Sequence, residues 1–86
     1  MKSLIIIGAS GFGREVAWLV ERINKVKPTW NILGFLDDDE TLRDKTVNGY
    51  KVLGNVSDGV SRYNQSHYIC AIGSSKIRQR VVNTIY

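Results

Sequence analysis

A run of four apolar residues, Leu4-Ile5-Ile6-Ile7, leads directly into Gly8-Ala9-Ser10-Gly11-Phe12-Gly13, and an amphipathic stretch begins behind that turn. Few architectures accept this order. An unbroken apolar run suits a strand buried on both faces of a parallel sheet. From Phe12 to about Lys25, Val16, Leu19, Val20 and Ile23 recur at i, i+3, i+4 and i+7, one face of a helix. Where a strand feeds a helix through glycines, main-chain N–H groups and the positive end of the helix dipole converge on the turn. Such a turn favours an anion, and glycines let the anion approach the backbone.

The same alternation continues along the chain. Pro28 stops the helix, and Asn31 to Leu36 reads as a second strand closed by Asp37-Asp38-Asp39. Thr41 to Asn48 reads as a polar loop. Tyr50 to Leu53 reads as a short third strand, with turn residues and a short helix following to about Tyr63. Tyr68 to Ile72 gives the fourth strand, ending at Gly73-Ser74-Ser75, and Ile77, Val81 and Ile85 mark a serine-capped final helix. Right-handed βαβ crossovers then predict a small Rossmann-like α/β domain over residues 1–86. It is half of a doubly wound fold, with the four strands in the order 3-2-1-4.

Composition removes several classes of function. The chain has 86 residues and a net charge of +4 with no block of like charges, so a nucleic-acid surface is not expected. The N-terminal apolar run is too short to span a membrane and has no cleavage pattern behind it, which points to a cytoplasmic protein with no membrane contact. The single Cys70 and single His67 fall short of a metal site, and in an extended segment they point to opposite faces. Cys70 reads as a small core residue and His67 as a strand-entry residue, so neither a metal ligand set nor a catalytic pair is expected.

In open parallel sheets the ligand lies beyond the carboxyl ends of the strands. Three features meet there. Gly8, Ser10 and Gly13 occupy the positions of a dinucleotide fingerprint, with a hydroxyl in the middle and Gly11 added. Asp37 and Asp38 offer acceptors suited to ribose hydroxyls or a base N–H, and they would repel a 2′-phosphate. Gly73 and Ser74 end the fourth strand, where a missing side chain lets a ligand lie across it. Each feature also has a plainer reading: a tight turn, a solvated acidic loop, a chain reversal. Arg14 is unusual in the first turn of a helix, where acidic residues are preferred, though Glu15 offsets its charge.

Together Ile7 to Gly13, Gly34-Phe35-Leu36-Asp37-Asp38-Asp39, Val52-Leu53-Gly54, and Ala71-Ile72-Gly73-Ser74 with Ile77-Arg78 resemble a known family. It is the amino-terminal domain of the sialic acid and bacillosamine type (NeuD- and PglD-like) sugar acetyltransferases, and the likeness covers nearly the whole chain. In that family a left-handed β-helix of hexapeptide repeats follows and carries acetyl-CoA and the catalytic histidine. The resemblance implies that this domain holds a nucleotide-sugar, often a UDP-linked 4-amino sugar, with no catalytic residue and no cofactor of its own. Acetyl-CoA is then expected only for a longer parent protein, as is a homotrimer formed through the β-helix.

By position, Ser10, Gly11 and Phe12 would lie along the diphosphate and sugar, Asp37 and Asp38 at the uridine, and Gly73 beside the sugar. Phe12 replaces the histidine of the Gly-His-Gly found in bacillosamine-type members, so a side-chain hydrogen bond is lost there, and GDP-linked or free sugars remain open. Two alternatives belong to other classes. One is the NAD(P)-binding domain of a dehydrogenase or reductase; the other is a non-catalytic nucleotide-sensing module.

Overall fold

The computed structural model describes residues 1–72. Gly73, Ser74 and the final helix expected after them lie outside the described residues. Strand β1 (Lys2–Ile7) is followed by helix α1 (Gly11–Val26), strand β2 (Trp30–Leu36), a one-turn 3-10 helix (Glu40–Leu42), strands β3 (Thr46–Val47) and β4 (Tyr50–Gly54), helix α2 (Val56–Arg62) and strand β5 (His67–Cys70). The sheet order is β3-β4-β2-β1-β5. β1 pairs in parallel with β2 and β5, and β2 pairs in parallel with β4. The four parallel strands therefore stand in the predicted 3-2-1-4 order.

Strand β1 is central because its side chains are apolar on both faces. Leu4 and Ile6 pack with Val16, Ala17 and Val20 of α1 and with Phe35 and Val52, while Ile5 and Ile7 pack with Leu36 and Val56 on the α2 side. Ile5, Ile6 and Ile7 are fully buried. Each such side chain contributes about 1.5–3 kcal/mol, a large share of what a domain this small can gather. Leu33 is the extra residue of a register shift between β1 and β2, since Leu4 pairs with Ile32 but Ile5 pairs with Gly34.

One sequence reading needs correction and a second needs qualifying. Thr41 to Asn48 is not a featureless loop, because Thr46–Val47 pairs antiparallel with Lys51 and Tyr50, and Val47 is buried. The cause is Asn48-Gly49, both at positive φ (52° and 85°). This is the pairing that a two-residue hairpin turn demands. Cys70 packs against the core cluster of Ile5, Ile7, Leu36 and Val56 as expected, but is only half-buried, since β5 alternates exposed and half-buried positions.

Polar latches hold the connections. The Asn24 side chain donates to the Trp30 carbonyl at 2.7 Å and accepts from the N–H groups of Thr29 and Trp30, which closes the passage from α1 to β2. The Asn48 amide donates to the Arg14 carbonyl at 3.0 Å and ties the β3–β4 hairpin to the first turn of α1. The Tyr68 hydroxyl donates to main-chain carbonyls at the end of α2, and burial pushes its pKa up.

Candidate functional site

The carboxyl ends of the parallel strands bring the glycine turn and the acidic turn together. The Gly8 N–H donates to the Leu36 carbonyl at 2.8 Å, and the Ala71 N–H donates to the Ile7 carbonyl at 2.7 Å, so the three strand ends form one rim. Gly8 sits at φ +102°, and a Cβ there would lie 2.8 Å from the Ala71 carbonyl oxygen. Gly13 is required for a different reason. A Cβ on it would run into the backbone carbonyl of Gly8, so its bare Cα is what lets α1 start directly behind the strand.

Gly11 contrasts with both. It is the first residue of α1, and nothing lies within 4 Å of where its Cβ would stand. Ser10 is the N-cap residue, yet its side chain makes no capping hydrogen bond. The first bond of the helix runs from the Arg14 N–H to the Ser10 carbonyl at 3.0 Å. The amides of Gly11, Phe12 and Gly13 precede that bond and find no acceptor among the described residues. Ser10, Gly11 and Phe12 are exposed and Gly13 is buried, so the turn presents a hydroxyl and a row of N–H groups at the positive end of a sixteen-residue helix.

The acidic turn is built differently. Asp37 follows β2 immediately, and its two carboxylate oxygens accept from the Ala9 N–H and the Asp39 N–H, each at 2.9 Å. Its own N–H donates to the Gly54 carbonyl. Asp38 accepts from the Val56 N–H at 2.9 Å through Oδ1 and so satisfies the first turn of α2. Asp39 accepts from the N–H and the hydroxyl of Thr41. Those bonds hold its carboxyl below the usual range, with the hydroxyl bond the larger cause. Sequence reasoning foresaw acids at this rim but missed that each one holds a particular main-chain N–H. The pairing of Ala9 with Asp37 across 28 residues leaves no local trace in sequence.

Other candidates fall away from the rim. His67 stands at the start of β5, with its ring edge-on to Trp30 at 5.5 Å. A cavity of about 490 Å³ lies at that same amino end of the strands, lined mainly by apolar residues including Leu4, Val20, Ile23, Trp30 and Ile69. It carries no loop of main-chain donors and is not where a parallel sheet binds an anion. Among the described residues no group of His, Cys, Asp or Glu is placed to hold a metal ion, and no helix is long and apolar enough to cross a membrane. Gly73 and Ser74 lie outside the described residues.

A parallel strand, a glycine turn and a helix start with open amides, with an acid at the end of the neighbouring strand, define a Rossmann-like domain. The chain belongs to the PglD N-terminal domain family, which matches residues 3–85. The acetyltransferase domain of PglB from Neisseria gonorrhoeae FA1090, solved with acetyl coenzyme A, superposes at a TM-score of 0.73 and 25% identity, over 98% of this chain and 38% of that one. RSP, a Rex-family repressor, superposes at 0.72 and 22% identity, over 99% of this chain and 40% of that one. RSP in complex with beta-NADH gives 0.71 and 20% identity, with the same coverage. No curated protein matches in sequence. The chain spans about two fifths of the length of these structural neighbours.

Proposed function

We propose that this chain is the nucleotide-sugar-binding domain of an acetyl-CoA-dependent sugar N- or O-acetyltransferase, with a UDP-sugar as its ligand and no turnover by itself. The observation that carries the reading is the start of α1, where Ser10 is left out of capping and Gly11 faces open space. The protein's own packing gives no reason for a glycine at 11, whereas a diphosphate drawn up to the amides of Gly11, Phe12 and Gly13 does. Family membership and the likeness to the PglB acetyltransferase domain support the sugar acetyltransferase setting. Acetyl transfer needs a general base beside the acceptor and a thioester held next to it. His67, packed on Trp30 away from the rim, is not placed to be that base. Acetyl-CoA and the base are therefore assigned to the remainder of a longer parent, together with any trimer.

The engaged carboxylates divide the work of recognition. Asp37 has both oxygens committed to main-chain N–H groups and acts first as a brace for Ala9. Asp38 is exposed and uses only Oδ1 on Val56. Its second oxygen is the acceptor offered to the ribose or the uracil N–H. A dinucleotide is the second reading, favoured by the fold shared with a repressor that was solved with beta-NADH. Isothermal titration of the chain with UDP, UDP-sugars, NADH and CoA separates the two. Binding of UDP-sugars without metal is expected, and binding of NADH with no response to UDP-sugars would replace the first reading by the second.

A further inference from the structure

Helix α1 is apolar on more than the side it turns to the sheet. Gly13, Val16, Ala17 and Val20 are buried. Phe12, Leu19, Ile23 and Val26 are not: they are exposed by 47, 52, 49 and 90%. With Val16 they recur at 12, 16, 19, 23 and 26, steps of four, three, four and three, which is the spacing of a coiled-coil seam. The seam borders the 490 Å³ groove over β5, to which Ile23 and the 39% exposed Ile69 both contribute. Amphipathic packing against one sheet does not explain a second stripe, and side chains left this open are worth burying.

The charges beside the stripe indicate what buries it. Glu15 and Arg22 are both exposed and stand seven residues apart on one flank of the seam. The Arg22 guanidinium rests over the Trp18 ring, 4.7 Å from its centroid. Glu15 lies on the amino side of Leu19 and Arg22 on the carboxyl side. A two-fold axis near Leu19 therefore sets Glu15 of one copy against Arg22 of the other, twice, while opposing the two helix dipoles. A parallel arrangement would set the Glu15–Arg22 flank against the opposite flank of Gly13, Val20 and Lys27, where Glu15 finds no partner and Arg22 meets a like charge. The charge pattern is complementary to itself when reversed.

We propose that α1 is a self-association surface, on which two copies of this domain pack α1 against α1, antiparallel about Leu19. Sedimentation equilibrium on the 86-residue chain tests this. A monomer–dimer equilibrium is expected. Leu19→Lys combined with Ile23→Lys is expected to raise the dimer dissociation constant by on the order of a hundredfold, because central apolar anchors carry most of an interface. Glu15→Arg and Arg22→Glu leave the apolar stripe intact. Each alone is expected to weaken the dimer by about fivefold, and the two together to restore it, as exchange of a symmetric charge pair requires. A chain that stays monomeric at every concentration overturns the proposal. So does a dimer indifferent to the Leu19 and Ile23 changes, or one that the double charge exchange fails to restore.

Discussion

The glycine turn and the acidic turn sit on adjacent strand ends, and both look from sequence like ligand contacts, yet their polar groups are in opposite states. In the glycine turn the N–H groups of Gly11 to Gly13 have no acceptor among the described residues, and Ser10 leaves them uncapped. In the acidic turn Asp37, Asp38 and Asp39 each accept a hydrogen bond from a main-chain N–H of the domain itself. Unsatisfied donors at a helix start are costly unless water or a ligand meets them. Carboxylates already bonded to N–H groups stabilise the frame with or without a ligand. The donors are therefore the better guide to where an anion binds, and the acids first show how the rim is held.

The sharpest way to break that comparison lies among the glycines. Gly13→Ala places a methyl group against the Gly8 carbonyl, and the helix must shift to make room. A loss of about 3 kcal/mol or more is expected in chemical denaturation. A domain of this size holds roughly 4–13 kcal/mol in all, so the variant stands near unfolding. At Gly11 a Cβ meets nothing within 4 Å and no unusual φ is required, so Gly11→Val has room to be accommodated. It should keep the circular dichroism and melting of the parent while abolishing UDP-sugar binding. Unchanged affinity in a folded Gly11→Val protein would move the phosphates away from this turn.

Asp37→Ala comes next in size. The change leaves the N–H of buried Ala9 without its acceptor, as well as that of Asp39. Stranding a buried donor costs about 1–3 kcal/mol. Because Ala9 belongs to the glycine turn, inorganic pyrophosphate and UDP should lose affinity together. A variant that loses UDP but binds pyrophosphate as before would return Asp37 to direct contact with the nucleoside.

Much of this architecture is legible in the residues because it follows from periodicity. Leu4 to Ile7 dictates a strand buried on both faces, Val16 to Ile23 a helix, and their order a parallel sheet with β1 inside. The β3–β4 hairpin was legible too, in Asn48-Gly49, but the surrounding polar residues mask a strand of only two residues. The braces are another matter. Nothing near Asp38 specifies a bond to Val56, eighteen residues away, since such a pair exists only once the sheet brings β2 and α2 together. For the same reason Gly8, Gly11 and Gly13 look alike in sequence and differ in the fold, where two are confined by neighbouring backbone and one is open.

Asp38→Ala separates nucleoside recognition from capping. Loss of the bond to the Val56 N–H frays the start of α2, at about 0.5–2 kcal/mol of stability. If the second oxygen also meets the ribose or uracil, UDP affinity falls by a further 1–3 kcal/mol, on the order of the cost of an unpaired partner. Pyrophosphate affinity should not change. Equal binding of UDP by parent and variant would leave Asp38 with its structural bond alone.

Asp39 gives the smallest effect and the cleanest control. Its carboxyl is held below the ordinary value of 3.8, first by the Thr41 hydroxyl and then by the Thr41 N–H, with burial opposing them and Lys45 adding the least. Hydrogen bonds to the ionised form mean that the folded state binds this proton less tightly than the unfolded chain does. The sign follows: the stabilisation is fully present above the ordinary carboxylate value and is lost as pH falls through the lowered folded value. Thr41→Val removes the hydroxyl and keeps the N–H, so nuclear magnetic resonance titration should find the Asp39 carboxyl moved back up toward 3.8. UDP affinity at neutral pH should be the same in the variant, because Asp39 is ionised there in both proteins and caps only its own one-turn helix. A fall in affinity would mean that the whole acidic run faces the ligand, and the contrast between an open donor turn and a self-braced acceptor turn would fail.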